Sequence, residues 1–254
     1  MEIAIITGAS SGMGREFVKR LSEIHNYDEI WVIARRRERL EELRDMVDTK
    51  IRAVPLDLTK NESFEELKTL LENEKPVVKT LVNASGFGVF EKFENIPLSK
   101  QLDMIDLNDK ALVAVTYIVL PYLKSGSEVY QIGSLSSFQP VPYIATYGAS
   151  KAFVLSFTRA VNAEYKKGGI KMMAVCPGWV KTEFFDTAVV DDSVIVYYNQ
   201  FFTSEQVVTR ALKDMRRGKD VSVVGPMIRL QVLATKLLPH KLVMWIWKKQ
   251  QKKA

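Results

Sequence analysis

A tyrosine and a lysine lie four residues apart in the stretch TYGASKAF, where Tyr147 precedes Lys151. Residues at this spacing share one face of a helix, so the phenol and the ammonium lie on neighbouring turns. A free phenol has a pKa of about 10, and a nearby ammonium favours the phenolate and lowers that pKa. The pair could therefore give a proton to an alkoxide that forms on a substrate. Ordinary solvated helix faces also meet this spacing, so the interpretation needs support from the rest of the chain.

A glycine-rich loop near the amino terminus, TGASSGMGREF, follows an apolar run and precedes a helical pattern. Its glycines are Gly8, Gly12 and Gly14. Glycine permits backbone angles closed to other residues and lets a phosphate approach the chain. A helix that begins near Gly14 points its free N–H groups and its dipole toward the loop. The order strand, loop, helix therefore predicts a dinucleotide-binding site rather than a plain turn.

Arginines occupy the end of the second apolar run, in ARRRERL. An NAD-binding fold places an acid near this point to hold the ribose 2′-hydroxyl, whereas a cation suits a 2′-phosphate. Arg35 and Arg36 stand there, and Glu38 is the first acid after them. Guanidinium pairs bidentately with phosphate, so the stretch favours NADP(H) and leaves NAD(H) as the alternative. Some of these arginines also begin a solvated helix.

Strand-like and helix-like segments alternate along the chain. The Val- and Ile-rich runs that predict strands are 2–6, 29–33, 51–55, 78–83, 127–132, 170–176 and 220–224. The amphipathic segments that predict helices are roughly 14–24, 36–47, 61–73, 98–123, 146–166 and 203–217. This order predicts an α/β fold, Rossmann-type and doubly wound, with a mostly parallel seven-stranded sheet and helices on both faces. Residues 1–254 are expected to form a single dinucleotide-binding domain whose ligands bind at the carboxyl ends of the strands.

From Thr7 to about Thr182 the chain resembles the short-chain dehydrogenase/reductase family, because the motifs TGxxxGxG and YxxxK occur together. The resemblance implies that Tyr147 is the general acid in reduction and the base in oxidation. It implies that Ser134, in QIGSLSS, holds the carbonyl oxygen by a hydrogen bond. Lys151 is implied to bind the nicotinamide ribose as well, and Asn108 to organise a water relay to Lys151. The catalytic residues are thus expected to be Asn108, Ser134, Tyr147 and Lys151.

The same resemblance implies a set of cofactor contacts. Asp57, in LDLT after the third strand, is expected to contact the adenine, and CPGWVKT to hold the nicotinamide carboxamide. NASG at 83–86 departs from the usual NNAG, but it retains Asn83 and Gly86, so we expect their structural role to survive. The residues expected to bind the cofactor are Gly8, Ser10, Ser11, Gly12, Met13, Gly14, Arg35, Arg36, Asp57, Leu58, Asn83, Ala84, Tyr147, Lys151, Pro177, Gly178, Val180 and Thr182.

Composition excludes several other classes of protein. The single cysteine, Cys176, forms no internal disulfide and is interpreted as a buried small residue. Two distant histidines without a Cys cluster disfavour a structural zinc site, and no metal is expected. No signal peptide or membrane-spanning run is found, which predicts a cytoplasmic protein. The net charge of +6 lies largely in 35–39 and 248–253, where no nucleic-acid motif accompanies it, so no nucleic-acid partner is expected.

Aromatic residues are frequent in the loops that should cover the site, especially in a lid region at about 184–217. They predict a bulky apolar carbonyl substrate, such as a steroid, a ketoacyl chain or an aromatic ketone, although packing against the body explains them equally well. These rings are Phe87, Phe90, Phe138, Tyr143, Phe184, Phe185, Tyr197, Tyr198, Phe201 and Phe202.

The C-terminal extension, about 226–254, reads as an apolar helix, a break at Pro239, and the run LVMWIW followed by lysines. A lid on the substrate pocket or an oligomer interface is favoured, with peripheral contact on an anionic membrane as the alternative. The family resemblance implies a homodimer or a homotetramer.

The predicted function is an NADP-dependent oxidoreductase that interconverts a ketone and a secondary alcohol. A sugar-nucleotide epimerase or dehydratase also uses YxxxK, but the glycine spacing and the lack of a sizeable C-terminal substrate domain disfavour it. A cofactor-sensing regulator without enzymatic activity is the remaining alternative. The presence of Asn108, Ser134, Tyr147 and Lys151 together disfavours that alternative, since a sensor does not need all four.

Overall fold

The computed structural model describes residues 1–189 and 195–251, and these residues include one seven-stranded parallel sheet. Its strands are β1 (Glu2–Thr7), β2 (Glu29–Ala34), β3 (Ile51–Pro55), β4 (Val77–Asn83), β5 (Leu123–Ile132), β6 (Lys171–Val175) and β9 (Val221–Ser222). Their order in the sheet is β3-β2-β1-β4-β5-β6-β9. A separate parallel pair joins β7 (Trp179–Val180) to β8 (Phe201–Phe202). The predicted Rossmann-type fold is confirmed, and the seven predicted strands all occur.

The strands form because their side chains are apolar on both faces. In β1, Ala4 and Ile6 pack into the core on one side of the sheet, whereas Ile3 and Ile5 pack into the core on the other side. All four are fully buried. This alternation follows from the two-residue period of a strand, and burial on both sides is what a parallel sheet covered by two helical layers requires.

Helices cover both faces. They are α1 (Gly12–Ile24), α2 (Arg37–Glu41), α3 (Asn61–Glu74), α4 (Leu98–Ile105), α5 (Ala111–Val119), α6 (Ala145–Tyr165), α7 (Phe184–Ala188), α8 (Ser204–Arg216), α9 (Pro226–Leu237) and α10 (His240–Gln250). Helices α1 and α8 contribute apolar residues to one core, and α3 and α5 contribute to the other. The predicted break at Pro239 separates α9 from α10.

The long helix predicted at 98–123 is interrupted. A single π-helical turn, Asp106–Lys110, separates α4 from α5, and Asn108 lies fully buried within it. Such π-turns are rare and occur frequently at functional sites. The apolar periodicity continues through the turn, which is why the sequence pattern did not reveal it.

The direction of winding reverses at β1. Strands β2 and β3 lie on one side of β1, and β4 begins the series on the other side, so a crevice opens at the carboxyl ends of β1 and β4. The Thr7 hydroxyl holds these ends together, because it accepts hydrogen bonds from the backbone N–H groups of Ala84 at 3.1 Å and Ser85 at 3.2 Å. The sheet thereby positions the glycine loop beside the loop that follows β4.

Part of the predicted lid region, about 184–217, lies away from the crevice. Helix α8 packs its apolar face into the core and, in the described part of the chain, lines none of the crevice. Residues 190–194 of that region, and residues 252–254 of the predicted C-terminal extension, lie outside the described residues. Within 1–189 and 195–251, the helices are all too short or too polar to cross a bilayer.

Candidate active site

A cleft of about 1080 Å³ opens at the carboxyl edge of the sheet, above the switch between β1 and β4. The glycine loop forms one end of it, and α9 and α10 cover the other. Of the predicted site residues, all except Asn83 and Asn108 line this cleft. The tertiary structure therefore brings together positions that are up to 174 residues apart in the sequence.

The glycine loop requires its glycines for space as well as for backbone angles. Gly8 has φ +66°, and a Cβ there would lie 2.7 Å from the carbonyl of Ala84. A Cβ on Gly14 would lie 2.3 Å from the Gly8 carbonyl oxygen. Any side chain at these two positions would displace backbone, so the loop can be this tight only with glycine.

The amino terminus of α1 faces the cleft without a side-chain cap from Ser11, its N-cap residue. The first N–H groups of a helix need acceptors from outside it, and the helix dipole favours an anion there. Together with the close backbone approach at Gly8 and Gly14, this arrangement fits the pyrophosphate of a dinucleotide. Ser10, Ser11 and Met13 border the same site.

Arg36 reaches across the mouth of the cleft. Its guanidinium donates to the Ser10 hydroxyl at 3.2 Å and to the Glu183 carboxylate at 3.0 Å. Arg39 approaches the same carboxylate at 3.9 Å. The side chains of Arg36 and Glu183 are both nearly half exposed, so their ion pair contributes little to stability. A phosphate at this position would have to compete with Glu183 for Arg36.

Asp57 lies on the wall below Arg35. Its carboxylate accepts hydrogen bonds from the backbone N–H of Thr59 at 3.1 Å and from the Thr59 hydroxyl at 2.8 Å. Partial burial by itself raises the pKa of this carboxyl, but the Thr59 hydrogen bonds and the charges of Arg35 and Lys60 outweigh burial and lower it. Asp57 is therefore ionised and fixed in place at neutral pH, beside Leu58 on the same wall.

Tyr147 and Lys151 lie on the same face of α6, as their spacing predicts. The Lys151 ammonium is 5.7 Å from the centre of the Tyr147 ring, and it donates to the Ile132 carbonyl oxygen at 2.9 Å. Only 5% of Lys151 is exposed. Burial disfavours the charged form, and it lowers the pKa of Lys151 to about 8 although Asp109 and Cys176 act in the opposite direction.

The pKa of Tyr147 differs from the expectation drawn from its sequence. Burial of the phenol raises the pKa to about 12, and the hydrogen bond from Ser134 opposes that rise only in part. The ammonium of Lys151 lies 5.7 Å from the centre of the ring, and its presence does not prevent the rise that burial causes. The expected lowering of this pKa was therefore wrong for the chain by itself. At neutral pH Tyr147 carries its proton and is ready to donate it.

Ser134 follows β5 and caps the short 3₁₀ helix Leu135–Phe138. Its hydroxyl accepts from the Ser136 N–H at 3.2 Å, and its own N–H donates to the Ser137 hydroxyl at 3.1 Å. Ser137 in turn donates to the Lys151 carbonyl oxygen at 2.7 Å. These bonds tie the loop after β5 to α6, so the hydroxyl of Ser134 is held beside the phenol of Tyr147.

Asn108 lies behind the cleft rather than in its lining. Its side-chain oxygen accepts from the Phe87 N–H at 3.0 Å, and its side-chain nitrogen donates to the Phe87 carbonyl and to the Ser150 hydroxyl, each at 3.0 Å. A Cβ on Gly86 would lie 2.9 Å from this oxygen and 3.3 Å from the Lys151 ammonium. Asn108 therefore joins the loop after β4 to α6, close to Lys151.

Asp109 is a residue of the site that the sequence interpretation missed. It lies in the π-helical turn, and its Oδ1 atom is buried without a hydrogen-bond partner among the described residues. Burial raises its pKa to about 6, and the charge of Lys151 opposes the rise. The π-turn, which positions this carboxylate near Lys151, has no signal in the apolar periodicity.

Asn83 has a structural position. Its side chain donates to the Thr116 hydroxyl at 3.1 Å, and Gln131 donates to the same hydroxyl at 2.9 Å. Asn83 thus links β4 to α5 below the cleft, which matches the structural role expected for NASG. A direct contact of its side chain with the cofactor stays a prediction, since the side chain points away from the cleft lining. Ala84, the next residue, does line it.

The far end of the cleft is apolar and aromatic. Five of the ten rings singled out in the sequence line it: Phe87, Phe90, Phe184, Phe185 and Tyr197. The other five lie outside the lining, and Phe202, for example, is buried in the main core. Phe90 and Phe184 lie 6.1 Å and 5.6 Å from the Tyr147 ring, so the aromatic wall begins directly at the phenol. About half of these rings therefore line the cleft, and the other half pack outside its lining; a bulky apolar substrate stays a prediction.

The C-terminal helices close this end. Trp247 of α10 donates from Nε1 to the Pro142 carbonyl oxygen at 3.0 Å. The Gln251 side-chain oxygen accepts from the N–H groups of Val196 and Tyr197, each at 3.0 Å. Several residues that the sequence interpretation did not assign to the pocket line it here: Trp179, Met227, Leu230, Leu238, Val243, Ile246 and Trp247. Of the favoured interpretations of this segment, the lid is the one that matches these contacts.

Comparisons with known proteins identify the family of this chain. The family model for the short chain dehydrogenase matches residues 2–192. Sulfoacetaldehyde reductase 2 from Chromohalobacter salexigens is 34% identical over 192 residues, which cover 72% of this chain and 74% of that protein. The very-long-chain 3-oxoacyl-CoA reductase of Anas platyrhynchos is 30% identical over 191 residues, covering 71% of this chain and 60% of that protein.

A solved structure agrees as well. The short-chain dehydrogenase from Sphingobium yanoikuyae in complex with NADPH superposes with a TM-score of 0.79 at 26% identity, and the match covers 93% of this chain and 94% of that one. The family model matches most of the chain, and the same chain has the expected fold, the glycine loop, and Tyr147 and Lys151 on one face of α6. This protein belongs to the short chain dehydrogenase family of oxidoreductases.

Proposed function

We propose that this enzyme interconverts a ketone and a secondary alcohol on a bulky apolar substrate, with NADP(H) as its cofactor. The observation that carries the proposal is the position of Tyr147, which lies between the glycine-loop end of the cleft and an aromatic end large enough for such a substrate. Large apolar pockets with few polar groups favour apolar ligands oriented by a small number of hydrogen bonds.

Each group at the centre of the cleft has a role in reduction. A bound nicotinamide dinucleotide supplies the hydride that adds to the carbonyl carbon. The Ser134 hydroxyl donates a hydrogen bond to the carbonyl oxygen, where negative charge develops. Tyr147, protonated at neutral pH, gives its proton to that oxygen. The Lys151 ammonium stabilises the resulting phenolate and, through its neighbours Asn108 and Asp109, connects to the route by which the proton is replaced.

The preference for NADP(H) rests on the cations at the end of β2. Arg35 and Arg36 both line the cleft at this end, and guanidinium groups match the 2′-phosphate that distinguishes NADP from NAD. The similar dehydrogenase from Sphingobium yanoikuyae is a complex with NADPH. We expect Arg36→Ala to weaken NADPH binding by at least about tenfold and NADH binding by much less, measured by fluorescence titration. Equal losses for the two cofactors would remove the arginine argument.

The two curated relatives point to different substrates. Sulfoacetaldehyde is small and anionic, whereas a very-long-chain 3-oxoacyl-CoA carries a long apolar chain. The aromatic wall formed by Phe90, Phe184 and Trp247 supports the apolar class for this enzyme. An anionic carbonyl compound would need a cation at that end of the cleft to replace its hydration.

The test is turnover by the purified protein. NADPH oxidation is measured against ketosteroids, ketoacyl thioesters, aromatic diketones and a small anionic aldehyde, with Tyr147→Phe alongside. Tyr165→Phe is the matched control, because Tyr165 lies at the far end of the same helix, α6, and outside the cleft lining. We expect turnover of an apolar ketone that Tyr147→Phe reduces by about 100-fold or more and Tyr165→Phe leaves unchanged. Tight NADPH binding without turnover of any compound would favour the cofactor-sensing alternative, and turnover of sugar nucleotides would favour the epimerase.

We also infer a homodimer or homotetramer assembled through α4, α5 and α6. Apolar side chains on these helices are exposed in the single chain: Leu98, Leu102, Ile105, Tyr117 and Phe153. Exposed apolar patches of this kind are typical of subunit interfaces. Sedimentation of the wild type and of Leu102→Glu tests this, with loss of the oligomer expected in the variant. A cytoplasmic location stays a prediction from the sequence.

A further inference from the structure

The C-terminal extension carries all of the excess positive charge of the chain. Residues 226–254 contain seven of the 36 lysines and arginines and none of the 30 aspartates and glutamates. Residues 1–225 therefore hold 29 cations against 30 acids and are almost neutral. The net positive charge of this protein is thus carried by one segment, the one that closes the substrate end of the cleft.

Helices α9 and α10 are apolar on more than one side. Ile228 and Val232 pack inward against the main core, as in any covering helix. The opposite side, here called the outer face, carries large apolar side chains that are between 38% and 76% exposed: Met227, Leu230, Leu233, Leu237, Leu238, Leu242, Trp245 and Ile246. Such a contiguous apolar surface on a soluble-type fold marks an interaction site.

The outer face is continuous with the cleft. Met227, Leu230, Leu238 and Ile246 belong to both, because they are exposed and also line the cleft. Apolar side chains therefore lead from the outer face to the aromatic wall, although Gln231 and Gln250 also line this end of the cleft. The lysines surround this surface, and the Lys249 ammonium lies 4.6 Å from the centre of the Trp245 ring.

We propose that the outer face of α9 and α10 lies on an anionic lipid bilayer, and that apolar carbonyl substrates enter the cleft from that bilayer. Amphipathic helices with Trp and Leu on one side and lysines beside them bind at the lipid interface, where the lysines meet anionic headgroups. Binding to the bilayer is inferred only from the exposed apolar side chains and the charge of this segment. The entry of substrate from the bilayer also rests on the proposed function.

Charge argues against a second copy of the chain as the occupant of this face. A two-fold contact would place the same surface on both subunits and bring two clusters of cations together without any acid between them. A head-to-tail contact would set this cationic surface against a body whose charges nearly cancel, since residues 1–225 hold 29 cations and 30 acids. An anionic bilayer supplies the opposite charge over the whole area of the face.

The first experiment measures binding to vesicles without any substrate. The full chain is floated with vesicles of phosphatidylcholine alone and with vesicles that contain about 30% phosphatidylglycerol. We expect binding to the anionic vesicles only, and its loss at about 0.5 M salt, where the Debye length is a few ångströms. Lys248→Gln/Lys249→Gln should weaken binding by about tenfold or more, since each lysine near the surface contributes about fivefold.

Matched variants separate this face from charge in general. Lys166→Gln/Lys167→Gln removes another exposed lysine pair, on the turn that follows α6, and should leave binding unchanged. Trp245→Gln should weaken binding several-fold without loss of helix content by circular dichroism. No binding to anionic vesicles, or equal loss in the two lysine variants, would overturn the proposal. A wild-type oligomer that Trp245→Gln dissociates in sedimentation would assign the face to a second copy instead.

The second experiment tests substrate entry. A water-soluble ketone is assayed without vesicles, and a long-chain ketone is assayed after incorporation into the anionic vesicles. We expect Trp245→Gln and Lys248→Gln/Lys249→Gln to match the wild type on the soluble ketone and to lose most of the rate on the vesicle-bound one. Equal rates on the vesicle-bound ketone would overturn entry from the bilayer. An inactive wild type on the soluble ketone would count against the proposed function, while the flotation result would still decide docking.

Discussion

Lys151→Met should stabilise the protein at neutral pH while removing its activity. The ammonium of Lys151 is 95% buried, and burial lowers its pKa from 10.5 to about 8. Each pKa unit corresponds to about 1.36 kcal/mol, so holding the charged form costs the folded state about 3 kcal/mol. Methionine has a similar length and no charge, so it removes that cost. The lost hydrogen bond to the Ile132 carbonyl offsets about 1 kcal/mol of the gain.

The sign of the pH dependence follows from the lowered pKa. Below the folded-state pKa of about 8, both states carry the proton and the full cost is present. As the pH rises from 8 toward 10.5, the folded state loses its proton first and the cost disappears. The stability gained by Lys151→Met should therefore be about 2 kcal/mol larger at about pH 7 than at about pH 9.5. This difference is insensitive to packing changes, because they are the same at both values.

Urea unfolding of the wild type and the variant at the two pH values measures this difference. Asp109 has a pKa of about 6 that the charge of Lys151 holds down, so Lys151→Met raises it, and the double variant Lys151→Met/Asp109→Asn, compared with Asp109→Asn, removes this contribution. Lys166→Met is the control, since it removes an exposed lysine and changes the net charge equally. A gain in stability that is the same at both pH values would refute the reasoning, because it would mean that burying the charge of Lys151 does not lower the stability of the folded state.

Three further variants test other parts of the site. Gly8→Ala should destabilise the protein by about 3 kcal/mol and abolish cofactor binding, because its Cβ would lie 2.7 Å from the Ala84 backbone. Gly126→Ala is the control: Gly126 also has a positive φ but open space around it, so we expect thermal unfolding to show a loss of only about 1 kcal/mol. Glu183→Gln should tighten NADPH binding by up to about fivefold and leave NADH binding unchanged, since it frees Arg36 from an exposed ion pair; weaker NADPH binding would contradict this. Asp109→Asn should move the alkaline limit of kcat/KM for ketone reduction to lower pH, because Asp109 raises the pKa of Lys151. Asp106→Asn is the control and should leave the limit in place, because the exposed carboxylate of Asp106 lies 3.7 Å from Lys110 instead.

The fold was predictable because its signals are local. Strands buried on both faces show as continuous Val- and Ile-rich runs, and amphipathic helices show as a period near 3.6, so the order of strands and helices along the chain could be expected from the sequence. The interruption at Asp106–Lys110 could not, since a π-turn depends on what the helix packs against rather than on the spacing of apolar residues.

The sequence by itself determined which chemical groups are present and which of them share an element: the glycines of the first loop, the arginines after β2, and Tyr147 above Lys151 on α6. Only the tertiary structure decided how these groups behave. It buries the phenol so that the pKa of Tyr147 rises instead of falling, it turns Asn83 toward Thr116, and it brings Asp109 near Lys151. It also folds α9 and α10 over the aromatic end of the cleft. These outcomes depend on burial and on contacts between residues far apart in the chain, and the spacing of neighbouring residues in the sequence determines neither of them.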